Sequence, residues 1–170
     1  MPIDEVALVC GLPYSGKSEL LEKSGEPFLK WNEFLQKKYK TLDFQAIELH
    51  LSLKRKKTIK EFAELTRKLT LEMEGKRFWI EGRFIMREER LEMKNVFHEV
   101  GFKRIGCLVL HNVKISELLN RCEQISKNFS RDSSDLMWQM QNFEIPSRNE
   151  GFAWIDFIQP ADSHLREISE

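Results

Sequence analysis

Apolar and polar positions along this chain change period in blocks, and the changes mark strands and helices in turn. Val6-Ala7-Leu8-Val9-Cys10 is an unbroken apolar run of the kind found in strands covered on both faces, so Glu5–Cys10 reads as the first strand. Ser18–Ser24 reads as a short helix, Pro27–Lys30 as a short strand, and a helix runs from Asn32 into Lys40. From Phe44 to Glu74 the pattern is mostly helical, with Ile47, Leu51, Phe62, Leu65, Leu69 and Met73 inward and Gly75 placed as the C-cap. Arg77–Glu81 is a strand. Arg87–Val100 is a helix with Leu91, Val96 and Phe97 inward, ended by Gly101. Lys103–Leu110 is a strand and Ile115–Cys122 a helix; 123–131 reads as a polar loop. Asp132 caps a further helix to about Phe143, and Phe152–Ile158 is the last strand. Strands alternating with helices predict an α/β fold, a parallel sheet with helices on both faces. Ligands of such sheets sit at the carboxyl ends of the strands.

A length of 170 residues predicts one domain spanning 1–170, ending in a short tail over about 160–170. Lys+Arg and Asp+Glu both number 27, so the net charge of zero gives no general attraction to nucleic acid. The run Lys54-Arg55-Lys56-Lys57 reads as a solvated face or a bend between two helices, with a phosphate-backbone contact as the alternative. Cys10, Cys107 and Cys122 lack metal-ligand spacing. Cys10 and Cys107 fall in apolar runs and read as small core residues of a reduced, cytoplasmic protein. Asp4 and Glu5 argue against a signal peptide, and no apolar run approaches membrane-spanning length, so no membrane partner is expected. His50, His98, His111 and His164 show no metal spacing. Trp79 and Trp154 read as core, and Trp138 and Met140 as helix packing.

Between the first strand and the first helix lies Gly11-Leu12-Pro13-Tyr14-Ser15-Gly16-Lys17-Ser18. This is a full Walker A pattern in the strand–loop–helix setting that gives the motif its meaning. Gly11 and Gly16 let the backbone turn so that successive N–H groups face phosphate oxygens. The helix N-terminus adds partial positive charge at the same place. Lys17 is positioned to reach the β- and γ-phosphates, and the Ser18 hydroxyl to hold Mg²⁺. Glu81, ending a buried strand, suits a carboxylate that supports Mg²⁺ or its water shell. Phosphoryl transfer needs cations closing over the moving group, and Arg121, Lys127 and Arg131 lie in a late polar segment that reads as a lid over about 121–135.

Beyond the loop, Phe78-Trp79-Ile80-Glu81 follows a helix ending near Gly75, and Glu88-Glu89-Arg90-Leu91 leads to Val100-Gly101-Phe102. Glu117-Leu118-Leu119-Asn120-Arg121, Asn142-Phe143-Glu144-Ile145-Pro146 and Glu150-Gly151-Phe152 come after. In this order, over about residues 5–158, the chain resembles the P-loop kinases related to phage polynucleotide 5′-kinase. The resemblance implies a P-loop NTPase fold with an adenylate-kinase-like five-stranded parallel sheet and a helical lid. It also implies ATP–Mg²⁺ as phosphoryl donor, with Arg121 in the lid.

The acceptor half departs from that family. Its acidic general base is matched by Asn32, with Glu33 beside it, and its acceptor-phosphate arginine by Leu35. The usual Asp-x-Thr-Asn after the third strand is Glu81-Gly82-Arg83, and the acid after the fourth is replaced by His111-Asn112. Three readings follow. Glu33 serves as the base after a one-residue shift; or the acceptor differs, with Arg83 replacing the lost arginine and Asn32, Lys127 and Arg131 as further candidate substrate contacts; or the protein binds ATP without being a kinase. The expected function is therefore transfer of the ATP γ-phosphoryl group to a hydroxyl, with a polynucleotide 5′-end as one candidate acceptor. A nucleotide-gated regulatory module or weak ATPase, and a nucleoside or nucleotide kinase, are the alternatives.

Overall fold

The structure is a computed structural model and describes residues 2–111 and 113–159. The expected tail, Asn112 and His164 lie outside the described residues. Five strands form one wholly parallel sheet: β1 (Glu5–Cys10), β2 (Phe28–Lys30), β3 (Phe78–Glu81), β4 (Arg104–Leu110) and β5 (Ile155–Ile158), in the order β2-β3-β1-β4-β5. The helices are α1 (Lys17–Ser24), α2 (Trp31–Tyr39), α3 (Phe44–Leu71), α4 (Arg87–Glu99), α5 (Ile115–Ile125) and α6 (Phe129–Asn142), with a short 3₁₀ turn at Arg148–Glu150. This is the expected α/β architecture, a P-loop NTPase-like fold. The strand order reverses around β1, which opens a crevice at its carboxyl end.

All six β1 residues are buried, as a central strand with both faces covered must be. Its alternate side chains feed two cores. Val6, Leu8 and Cys10 join the larger one with residues of α2, α3 and α4; Ala7 and Val9 join the smaller with Leu20 and Leu21 of α1. Aromatic rings knit the larger core together: Phe62 of α3 meets Trp31 and Phe34 at 5.0 Å each, then Phe97 of α4 at 6.1 Å. Cys10 and Cys107 are buried neighbours with sulfurs 3.3 Å apart and free thiols, as core residues should be.

Several boundaries differ from the sequence reading. Helix α3 ends at Leu71 with Glu72 as its cap, so Gly75 is not the cap but lies beyond it. Leu65 is exposed rather than inward. The stretch read as a loop over 123–131 is mostly helix: α5 runs to Ile125 and α6 starts at Phe129, with Asn128 rather than Asp132 as its cap, its side chain accepting from the Arg131 N–H. Strand β5 starts at Ile155, three residues late. The basic run does mark a bend. Lys54 has non-helical dihedrals inside α3, and Arg55 and Lys56 pair with Glu92 and Glu99 of α4.

Gly106 of β4 lies against the Trp154 indole so closely that a Cβ there would sit 2.0 Å from Cε2. Trp154 also donates its Nε1–H to the buried Glu5 carboxylate. Gly106→Ala is therefore expected to cost about 1–3 kcal/mol, the usual penalty for overpacking. Denaturant unfolding would measure the loss, and a red shift in tryptophan emission would report a displaced indole.

Candidate active site

The loop after β1 is shaped by two left-handed residues, Tyr14 (φ 64°) and Gly16 (φ 97°). Gly16 is also the N-cap of α1, a conformation glycine adopts without steric cost. Its carbonyl accepts from the Leu20 N–H at 2.9 Å, and Ser15 N–H closes a turn onto the Leu12 carbonyl at 3.2 Å. Gly11 sits under the loop, where a Cβ would come within 3.0 Å of Ser15 Oγ. The Ser15 hydroxyl is buried and, among the described residues, has no hydrogen-bond partner. An orphaned donor inside a phosphate-sized loop fits an anionic ligand.

Lys17 reaches back into this loop. Its Nζ donates to the Gly11 carbonyl at 2.6 Å and lies 4.0 Å from Glu81 Oε1, across the β1–β3 crevice. Burial pushes the lysine pKa down from its ordinary 10.5, while the Glu81 carboxylate pulls it up and Arg83 pushes it down further. A desolvated ammonium of this kind gains from an added anion, which supplies the countercharge that water would have given.

From the other side comes Arg121 of α5. Its Nη1 donates to the Tyr14 carbonyl at 2.7 Å, and its Nη2 to Glu117 at 2.6 Å one helical turn away. The α5–α6 pair thus docks directly on the loop. Burial and a hydrogen bond with Cys122 of α5 push the Tyr14 hydroxyl pKa up, which keeps the phenol neutral.

These elements enclose a cleft of about 1020 Å³, at the upper end of the range for small-molecule sites. Residues Pro13 through Ser18 form its floor, with Asn32, Glu81, Arg83, Arg121 and Arg131 around it. Leu12 and Gly11 shape the loop from beneath and do not line the cleft. Lys127 is exposed and outside it; Arg131 stands at the rim, paired with Asp132 at 3.2 Å. Glu33 is also outside, its side chain 59% exposed and its carboxylate 3.7 Å from the Lys30 ammonium. Its neighbour Asn32 does face the cleft.

Sequence reasoning missed Asp43, Phe44 and Gln45 at the start of α3, and Asp135 and Gln139 of α6, all of which line the cleft. The Asp43 cap, accepting from Gln45 N–H at 3.0 Å, was detectable as a helix start but not as a cleft wall. Gln139 is buried and gives its amide to Asp135, and its carbonyl oxygen has no partner among the described residues. Arg83 ties the two walls together: its guanidinium lies 5.6 Å from the Phe44 ring centroid and 3.5 Å from Asp135. Among the described residues, no helix is long and apolar enough to cross a membrane.

No protein-family model matches the chain, and no curated protein matches it. Solved structures do share its fold. A "putative kinase" from Chloroflexus aurantiacus j-10-fl is 16% identical, with a TM-score of 0.61 over 99% of this chain and 91% of that one. The protein APE1195 is 17% identical, with a TM-score of 0.56 over 91% and 87% of the two chains. At such identities the likeness concerns the fold, a parallel sheet of the P-loop type. The chemistry has to be argued from the cleft itself.

Proposed function

We propose that the protein is a phosphotransferase that moves the γ-phosphoryl group of ATP–Mg²⁺ to a hydroxyl acceptor. The observation that carries this reading is the convergence of three groups on one loop: the buried Lys17 ammonium, the orphaned Ser15 hydroxyl, and the Arg121 guanidinium docked from the α5–α6 pair. A binding loop alone would need the first two; a cation brought in by a separate helical pair suits charge that develops during transfer.

The residues present also fit the metal. Mg²⁺ is commonly held by one or two protein oxygens plus substrate phosphates and waters, and Ser18 and Glu81 both border the cleft at the phosphate end. The metal would neutralise charge on the β- and γ-phosphates. The backbone N–H groups of Gly16, Lys17 and Ser18, at the start of α1, cradle the phosphates, with Gly11 and Gly16 permitting the turn. Lys17 holds the β/γ region, and Arg121 leaves the Tyr14 carbonyl to meet the transferring group. The acceptor oxygen forms the new O–P bond as the bond between the β,γ-bridging oxygen and γ-phosphorus breaks. ADP departs, and the hydroxyl proton passes to solvent water. In so loose a transition state positioning counts for more than a strong base, which suits a cleft where Asn32 orients a hydroxyl and Glu33 stands outside.

The test is transfer of γ-labelled phosphate to a pool of oligonucleotides with 5′-hydroxyls, nucleosides and nucleoside monophosphates. Arg121→Ala is expected to lower kcat by about 10²–10³-fold while ATP binding weakens far less. The position of Glu33 favours one other reading, a nucleotide-gated module. Free phosphate alone, with no acceptor accelerating its release, would favour that module over the transferase.

A further inference from the structure

A second cavity, of about 270 Å³, opens beside the nucleotide cleft, and Asn32, Phe44 and Arg83 line both. Its walls are mixed, with aromatic and aliphatic side chains on part of the lining and charged ones on the rest. Trp31, Phe84 and Trp138 supply rings, and Ile47, Leu51 and Met93 fill between them. Trp138 is half exposed, although a packing residue on α6 would be covered; its indole borders this cavity instead. The size is just under the usual range for drug-sized ligands, about 300–1000 Å³, so the occupant is small.

The charges in this cavity are mostly neutralised. Arg55 is held by Glu92 at 2.8 Å, and Arg83 by Asp135 at 3.5 Å. Glu48 and Glu89 also line the wall. Glu89 is half-buried in the first turn of α4 and makes no hydrogen bond or ion pair among the described residues. Burial pushes its carboxyl pKa above the ordinary 4.5, against the pull of Arg55 and Arg83 and with a further push from Glu48. A phosphate entering here would meet two carboxyls and two cations that already have partners. A neutral flat ring would meet aromatic walls and one carboxyl with hydrogen-bonding capacity to spare.

We propose that this side cavity is the acceptor pocket, and that it takes a neutral nitrogen heterocycle carrying a hydroxyl arm, such as an unphosphorylated nucleoside. The inference rests on the phosphotransferase reading for what happens next, though not for binding. The ring lies among Trp31, Phe84 and Trp138, with its N–H or amino edge on Glu89. The hydroxyl arm passes Asn32 and Arg83 towards the cleft, where the γ-phosphoryl group would meet it.

Equilibrium dialysis of labelled nucleosides and their 5′-monophosphates, with the protein saturated by a non-hydrolysable ATP analogue, tests the pocket without turnover. At least one nucleoside is expected to bind about tenfold or more tighter than its monophosphate. Glu89→Ala is expected to weaken that binding about tenfold, and Trp138→Ala by a similar factor through lost stacking. Both side chains are partly exposed, and circular dichroism would verify that the variants fold. Affinity for the ATP analogue should stay within about twofold in both. Absence of nucleoside binding, preference for the monophosphate, or indifference to both substitutions would overturn the proposal. Label transfer to some other acceptor in that case would leave the phosphotransferase reading standing. Failure to bind the ATP analogue would instead sink that reading, whatever the nucleosides do.

Discussion

Lys17→Ala is expected to lower phosphoryl transfer by about 10³-fold while leaving the protein folded. The ammonium would act on charge at the β- and γ-phosphates, and one preorganised donor of this kind is worth about 10²–10³-fold, with a full charge at the upper end. Its effect on stability runs the other way. Lys17 is buried, and burial lowers its pKa from the ordinary 10.5. The unfolded chain therefore holds that proton more tightly than the folded one. In the pH window between the lowered folded value and 10.5 the unfolded state binds more protons, so wild-type stability rises with pH there. Below the window the charged form is present in both states and its burial cost is felt in full. Lys17→Ala should lack that rise, and Glu81 loses a neighbour 4.0 Å away, so the net change in melting temperature near neutrality is small. Label transfer and thermal melts at several pH values measure both arms. An inactive variant that also fails to fold would remove the inference; an active, folded one would show that the loop does not carry the chemistry.

The sequence was most legible where the structure is local. The β1–loop–α1 unit is contiguous, its glycines and lysine are fixed by spacing, and Gly16 and Lys17 stand where the pattern puts them. The parallel sheet followed from strands that alternate with helices. Helix ends were less legible because two residues competed for each. Asp132 carries the charge a helix start prefers, yet Asn128 is followed at once by apolar Phe129 and takes the cap, leaving Asp132 in the first turn where its charge still faces the helix N-terminus favourably. Glu33 was read as a base shifted by one residue. On a helix, neighbours point about 100° apart, so with Asn32 towards the cleft Glu33 turns to solvent. The side cavity had no local signature at all. Its walls come from α2, α3, the β3–α4 connection, α4 and α6, and only the folded chain brings Trp138 near Glu89.

The largest loss of stability is expected away from the loop, at Arg90 and Glu150. Arg90 is fully buried, and its guanidinium binds the Glu150 carboxylate at 2.7 and 3.1 Å in a two-point contact. Its third bond, at 2.8 Å, goes to the carbonyl of Phe84, a non-glycine residue held at φ 44°. Glu150 in turn accepts from the Ser147 N–H at 2.8 Å and completes the capping box of the 3₁₀ turn before β5. The pair therefore clamps the connection after β3 to the approach of the last strand. Removing one partner leaves a buried charge with nothing to answer it, at a cost of about 3–5 kcal/mol. For a chain of this size that lowers the melting temperature by roughly 6–20 °C. Glu150→Ala and Arg90→Ala should each show it. Replacing both by Met should recover a large part of the loss, because a buried ion pair is worth little over apolar residues of similar volume. The recovery stays incomplete, since the Phe84 carbonyl and Ser147 N–H lose their partners. A double-mutant cycle would give the coupling; losses that simply add would mean that the two side chains are held separately. The same variants reach the site by a short path, because Arg83 precedes Phe84 and borders both cavities. Acceptor binding should therefore fall in a folded single variant before nucleotide binding does.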